Sequence, residues 1–226
     1  MSLVLPAPAP TLVDVVGGGT FPVRRVWCVG RNYAAHVREM GGDPSREPPF
    51  FFAKPTDAIV PGGGSIPYPP MTSNLHHEIE LVVAIGKGGD HIAEEDALDH
   101  VFGYAAGIDL TRRDIQADAR MAGRPWDMAK GFDRSGPCGP ITRAADFDPS
   151  AGRIRLDVNG ATRQASDLSG MIWTVPETIS ALSRYVALGA GDLIFTGTPD
   201  GVGPLVAGDV VYGLIDGLEP IEIRIG

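Results

Sequence analysis

The sequence predicts an α+β domain, predominantly β, with a few short helices. Three observations predict it. The 226 residues include 30 Gly and 20 Pro, which break the chain into short extended runs rather than long helices. Several runs carry apolar residues at every second position, among them Ile79, Leu81, Val83 and Ile85, and later Ile221, Ile223 and Ile225; that is strand periodicity. Asn159-Gly160 lies between two such runs and is a strong signal for a two-residue hairpin.

The elements follow in order. Residues 1–22 are rich in Pro, Ala and Gly and read as an N-terminal arm. Residues 25–29 read as a strand stopped by Gly30, and Asn32 is placed to cap a short helix over 33–40. Residues 41–49 are a loop, 50–53 are extended again, and 61–70 hold too much Gly and Pro for sustained regular structure. A strand is expected over 78–86, a helix over 94–102, a strand over 104–109 and a helix over 111–122. The hairpin strands are 153–159 and 161–166. Residues 176–186 have helical spacing, with Pro176 in the tolerated first turn. Strands at 192–196, 209–215 and the closing isoleucine run complete the chain. There is no internal repeat and no linker, so 23–226 reads as a single domain.

Composition narrows the function classes. Hydrophobic content of 43% and charged content of 21% are those of an ordinary globular domain with one core. A net charge of -9 without any basic run argues against a nucleic-acid surface. Neither Cys28 nor Cys138 belongs to a C-x-x-C pair, which argues against a zinc or redox motif. Cys28 sits in an apolar run and reads as a small buried hydrophobe. Nothing calls for a disulfide, in keeping with a reducing cytoplasm. No apolar stretch approaches the roughly 18 residues of a membrane helix, and no signal peptide is evident. The expectation is a cytoplasmic protein with no membrane or nucleic-acid partner.

The residues with chemical potential begin at Glu78 and Glu80. On a strand, side chains two apart share a face, so both carboxylates lie opposite the aliphatic stripe. Removing two such groups from water costs several kcal/mol each unless something cationic compensates. A hard divalent cation does so; an edge strand with a solvated face is the plainer reading. Asp109 ends the next strand, where it is either a third oxygen ligand or a helix N-cap. Three carboxylates completed by water and substrate suit Mg²⁺ or Mn²⁺ better than zinc. His36 and Glu39 are three apart on one helix face, the spacing of an imidazole oriented for general-base work, or of a solvated surface pair. His76 and His77 are adjacent, so both cannot face the glutamates. They read as supporting residues, with a mixed His/Glu zinc or iron site as the competing idea. Lys130 has apolar neighbours, which would desolvate it and lower its pKa; a snorkelling surface lysine is the alternative. Gly197 permits a tight turn that aims Thr198 at a ligand. Gly201-Val202-Gly203 lacks the spacing of a nucleotide-binding loop.

Taken together, Gly30-Arg31-Asn32-Tyr33-x-x-His36-x-x-Glu39, His77-Glu78-x-Glu80, Asp109-x-Thr111-x-Arg113-Asp114, Lys130 and Thr196-Gly197-Thr198-Pro199-x-Gly201-Val202-Gly203 resemble the fumarylacetoacetate hydrolase family over roughly residues 23–226. The surrounding wording looks most like the bacterial fumarylpyruvate hydrolases of gentisate breakdown. The resemblance implies a mixed β-sandwich roll, usually a homodimer, with Mg²⁺ or Mn²⁺ on Glu78, Glu80 and Asp109. It implies water activation by His36 with Glu39 on a lid, and places Arg113, Gln116, Lys130 and Thr198 around the substrate. The implied reaction is hydrolytic C–C cleavage of a small 2,4-dioxo acid such as 3-fumarylpyruvate, in aromatic catabolism. Acylpyruvase, oxaloacetate decarboxylase and isomerase activities use the same site in the family. A non-catalytic dicarboxylate-binding module would leave His36 and Glu39 idle.

Overall fold

The computed structural model describes residues 3–41 and 47–226. Its centre is an eight-stranded mixed sheet. The path runs Phe50–Lys54, Arg25–Gly30, Asp192–Phe195, Ile79–Ile85, Val101–Ile108, Gly136–Cys138, Ile59–Pro61, with Thr142–Arg143 also paired to Val101–Ile108. Most neighbours are antiparallel; Asp192–Phe195 with Arg25–Gly30, and Gly136–Cys138 with Ile59–Pro61, are parallel. A five-stranded sheet packs on one face in the order Ala161–Asp167, Arg153–Val158, Val210–Ile215, Ile221–Ile225, Gly64–Ile66. Its Gly213 comes so close that a Cβ there would lie 2.6 Å from Ile79 Cδ1. A three-stranded ribbon, Thr111–Arg112, Leu75–His77, Gly203–Leu205, closes the end nearest the carboxylates. This is the expected predominantly β sandwich with short helices: α1 (Ala34–Glu39), α2 (Arg113–Met121), α3 (Asp127–Lys130) and α4 (Val175–Ser183).

The main core lies between the two sheets and holds Ile79, Leu81, Val83, Ile85, Tyr104, Ile154, Leu156 and Ile223. A second apolar cluster, with Val82, Ala84, Ala105, Leu193 and Phe195, lies on the opposite face of the large sheet. The Ile79–Ile85 strand is therefore buried at every position, not on one stripe as its alternation suggests. A central strand packed on both faces reads as a near-continuous apolar run, and Val82 and Ala84 supply its other half.

Several boundaries differ from expectation for identifiable reasons. Residues 12–22 of the expected arm carry a small ladder, Leu12–Asp14 with Thr20–Pro22, whose Val13 and Phe21 are buried in the second cluster. A three-residue strand with one inward side chain is too short to register as periodicity. Asn32 does not cap α1, whose N-cap is Tyr33. Its buried amide instead donates to Trp173 O (2.9 Å) and Thr196 O (2.8 Å) and accepts from Trp173 N (2.7 Å), clamping three distant segments together. The helix expected from 111 begins at Arg113, because Thr111 and Arg112 pair with His76 and Leu75. The 94–102 helix is a 3₁₀ segment, Glu94–His100. Residues 42–46 of the expected 41–49 loop lie outside the described residues. The hairpin matches its signal: Asn159 and Gly160 have φ of 52° and 78°, the two positive values of a type I′ turn. In α4, Thr174 and Glu177 form a capping box with Pro in the first turn.

Candidate active site

The ladder register assembles the carboxylates. Ile79 pairs with Ile108 and Glu80 with Gly107, so the open end of the ladder sets Glu78 beside Asp109, whose N–H donates to Glu78 O at 2.8 Å. Oxygens of Glu78, Glu80 and Asp109 lie within 4.8 Å of one another, and all three residues are buried. Neither His76 nor His77 joins them. His77 Nδ1 lies 3.0 Å from Gln164 Oε1. His76 accepts from Arg113 Nε (3.3 Å) and, with burial and Arg113 lowering its pKa to about 4, is neutral.

Three cations meet the three carboxylates. Lys130 Nζ lies 2.7 Å from Glu78 Oε2 and 2.6 Å from Asp109 Oδ2, Arg113 pairs with Glu78 Oε1, and Lys54 Nζ lies 2.8 Å from Asp109 Oδ1. Burial opposes the charge on Glu78, but Lys130 and Arg113, with His36, hold it well below the usual carboxylate range. Burial also opposes charge on Lys130, yet Asp109 and Glu78 raise its pKa above the usual lysine value. Lys130 is thus a committed ammonium, not the pKa-lowered lysine that its apolar neighbours suggest: the sequence shows the desolvation but not the partners. Lys54 was not singled out by sequence. It also donates to Ser135 Oγ (3.0 Å) and Lys130 O. Its signal was positional, since Lys54 and Phe52 share one face of a strand and Phe52 lines the cavity.

The residues fit a hard divalent cation. Among the described residues Glu80 has a single hydrogen bond, from Gly197 N at 2.8 Å, and no ion pair. Burial, then Asp109 and Glu78, push its carboxyl well above the usual range, and a cation bound beside it would favour its charged form. Asp109 Oδ1 is buried and, among the described residues, has Lys54 Nζ at 2.8 Å but no hydrogen bond. An all-carboxylate set of this kind is the oxygen coordination that Mg²⁺ and Mn²⁺ prefer.

The same cavity, about 450 Å³, is lined by His36, Glu78, Glu80, Asp109, Arg113, Gln116, Lys130 and Thr198, with Val29, Phe52 and Trp126 among its apolar walls. That volume is typical of a small-molecule site. α1 brings His36 into it; His36 Nδ1 lies 3.2 Å from Glu39 Oε2, and Gly201 N donates to both Glu39 oxygens at 3.1 and 3.2 Å. α2 supplies Arg113 and Gln116, and Arg113 donates to Gln116 Oε1 at 2.5 Å. The turn after Asp192–Phe195 carries Gly197 at φ 94°; a Cβ there would meet Asn32 Cβ at 2.7 Å, so this tight approach requires glycine. All nine residues anticipated from the sequence are therefore drawn together: eight line the cavity and Glu39 stands behind His36.

Residues 25–225 match the family described as Fumarylacetoacetate (FAA) hydrolase C-terminal. The chain belongs to the fumarylacetoacetate hydrolase family. It is 46% identical over 184 residues to the fumarylpyruvate hydrolase of a Ralstonia species, covering 81% of this chain and 96% of that protein. It is 42% identical over 214 residues to mouse mitochondrial oxaloacetate tautomerase FAHD1, covering 91% and 96%. Among solved structures it superposes on fumarylpyruvate hydrolase from Pseudomonas aeruginosa in complex with Mn²⁺ and pyruvate, with a TM-score of 0.97, 52% identity and 99% of each chain covered.

Proposed function

We propose that this chain is a metal-dependent hydrolase of carbon–carbon bonds that converts 3-fumarylpyruvate and water to fumarate and pyruvate. The observation that carries this reading is the convergence of a buried carboxylate triad and an oriented histidine in one cavity. Glu78, Glu80 and Asp109 would hold Mg²⁺ or Mn²⁺. When bound, that cation supplies Lewis-acid polarisation of the substrate's oxo and carboxylate oxygens.

The protein's own residues perform the proton and charge work. Glu39 accepts from His36 Nδ1–H, which leaves Nε2 to take a proton from water. The resulting hydroxide attacks the 4-carbonyl carbon. The C3–C4 bond breaks, its electron pair departs as the enolate of pyruvate, and protonation at C3 completes the second product. Lys130, held as an ammonium between Glu78 and Asp109, offers fixed positive charge to the developing anion. Arg113, Gln116 and Thr198 orient the substrate. Formal charge supports the substrate class. Lys54, Arg113 and Lys130 match the three carboxylates, and Arg31 and Arg120 also line the cavity, so a divalent cation leaves the site net positive, which suits an anionic substrate.

The similarity to oxaloacetate tautomerase FAHD1 supports one second reading, oxaloacetate or acylpyruvate chemistry on the same cavity. The family resemblance further supports a homodimer, a cytoplasmic setting and a place in aromatic breakdown. Among the described residues no helix is long and apolar enough to cross a membrane. The test is a spectrophotometric assay with 3-fumarylpyruvate, with Mg²⁺ or Mn²⁺ and then EDTA, coupled to pyruvate detection. Metal-dependent loss of the enolate absorbance with stoichiometric pyruvate is expected. Pyruvate release from oxaloacetate or acetylpyruvate alone would overturn the substrate. Light scattering on the purified protein tests the dimer.

A further inference from the structure

The Ala161–Asp167 strand lies at the edge of the five-stranded sheet, and the one side chain it buries is polar, Gln164. Its amide orientation is fixed by two partners that have no choice of role. Ile79 N–H, which only donates, reaches one end at 3.1 Å, so that end is Oε1. Pro199 C=O, which only accepts, lies 2.9 Å from the other end, so that end is Nε2. The remaining Nε2 hydrogen points to Thr198 Oγ1 at 2.8 Å. Thr198 is thereby an acceptor toward Gln164, and its own hydroxyl hydrogen has no acceptor among the described residues. A hydroxyl supplies one donor, and Thr198 lines the cavity beside Glu78, Glu80 and His36.

We propose that Gln164 is a positioning residue that fixes Thr198 as a hydrogen-bond donor into the cavity, selecting an anionic oxygen such as a carboxylate at that point. The same amide grips the backbone N–H between Glu78 and Glu80, so it locks the ligand-bearing strand and the Thr198 turn in one register. The edge strand supports that turn a second time: a Cβ on Gly201, whose N–H holds Glu39, would lie 2.1 Å from Arg163 O. This inference rests on the functional reading above for the identity of the oxygen.

The test is a double-mutant cycle read as pyruvate affinity by calorimetry on the Mn²⁺-loaded protein, alongside KM for 3-fumarylpyruvate. Thr198→Val and Gln164→Met are each expected to weaken pyruvate about tenfold, the worth of one hydrogen bond to a charged group. Combined, they should weaken it little more than either alone, because both remove the same donor. Thr198→Ser keeps the hydroxyl and guards against a misfolded variant: it should bind pyruvate as the wild type does while Gln164 is present and lose about tenfold when Gln164→Met is added, with circular dichroism confirming that the Met variant is folded. Single effects that multiply to about a hundredfold in the double variant would overturn the proposal. So would wild-type pyruvate affinity in a folded Gln164→Met variant, or failure of the wild-type protein to bind pyruvate. Absence of 3-fumarylpyruvate turnover, with the pyruvate cycle as expected, would sink the functional reading and leave this inference standing.

Discussion

Glu80 is 1% exposed and belongs to a seven-residue strand in the middle of the large sheet. Glu39 ends a six-residue helix with 34% of its side chain in solvent. The two glutamates serve one cavity from opposite kinds of scaffold. Around the carboxylate triad, Lys54, Arg113 and Lys130 arrive from three segments and ion-pair with Glu78 and Asp109 inside the protein. Around His36, order depends on one short helix, a bond to Glu39 and the Gly201 N–H. Centres that must hold high charge density need dense compensation, since an unpaired buried charge is costly. A pair proposed for proton transfer, such as His36 with Glu39, needs only orientation, and a short surface helix can give it while remaining free to adjust to substrate.

The largest expected effect attacks the charged centre. Asp109→Asn should abolish Mn²⁺ binding in the micromolar range and lower kcat/KM by about a thousandfold or more, the scale of losing a principal charge-stabilising group; a wild-type metal titration would break the comparison. Next, Lys54→Met leaves Asp109 with one cation fewer in a buried site and should destabilise the fold by about 3 kcal/mol, read as a shift in denaturant midpoint. A neutral result would show that Lys130 alone compensates Asp109.

A smaller effect has the opposite sign. The folded, metal-free chain holds the Glu80 proton more tightly than the unfolded chain, because burial, Asp109 and Glu78 raise its pKa. Its contribution is full below about pH 4.3 and is lost as pH rises toward the folded value. In EDTA at pH 7, Glu80→Gln should therefore raise Tm, by about 2–4 °C for each kcal/mol relieved. The gain should vanish below about pH 4.3 and reverse when Mn²⁺ is added to both proteins. An unchanged Tm would mean that Glu80 is already compensated without metal.

The smallest effect concerns the support of α2. Asp114 accepts from Thr72 Oγ1 (2.6 Å), Ser73 N (3.0 Å) and Ile115 N (2.9 Å). Burial raises its pKa, but these hydrogen bonds outweigh that and hold it below the usual aspartate value. Asp114→Asn should cost about 1 kcal/mol at neutral pH. The difference should close in acid, because a depressed carboxylate contributes above its unfolded pKa and loses that contribution as pH falls through the folded value; a gap that persists at low pH would rule out the charge as its cause.

What was legible in the sequence follows the same division. Residues whose chemistry shows in short spacings were found: Glu78 with Glu80 on a strand, His36 with Glu39 on a helix, and Asp109 at a strand end. Residues whose importance arises only from long-range pairing were not. Lys54 reaches Asp109 across 55 positions, and Gln164 reaches Ile79 across 85; locally Lys54 shows only that it shares a strand face with Phe52, and nothing local marks Gln164. Asn32 was visible but misassigned, because cap propensity is a local statistic and its actual partners, Trp173 and Thr196, are set by the fold. The lysine at 130 shows the same limit. Its burial is written in its neighbours, but the direction of its pKa is decided by carboxylates 21 and 52 positions away.

The central claim is that one cavity divides its labour, with metal held by the triad and water activated by His36. His36→Ala tests it most directly, with Mn²⁺ affinity and 3-fumarylpyruvate hydrolysis measured on the same preparation. The account predicts an unchanged Mn²⁺ dissociation constant and a fall in kcat of about 10²–10⁴-fold. Hydrolysis at the wild-type rate, or a Mn²⁺ affinity that collapses with the histidine, would contradict it.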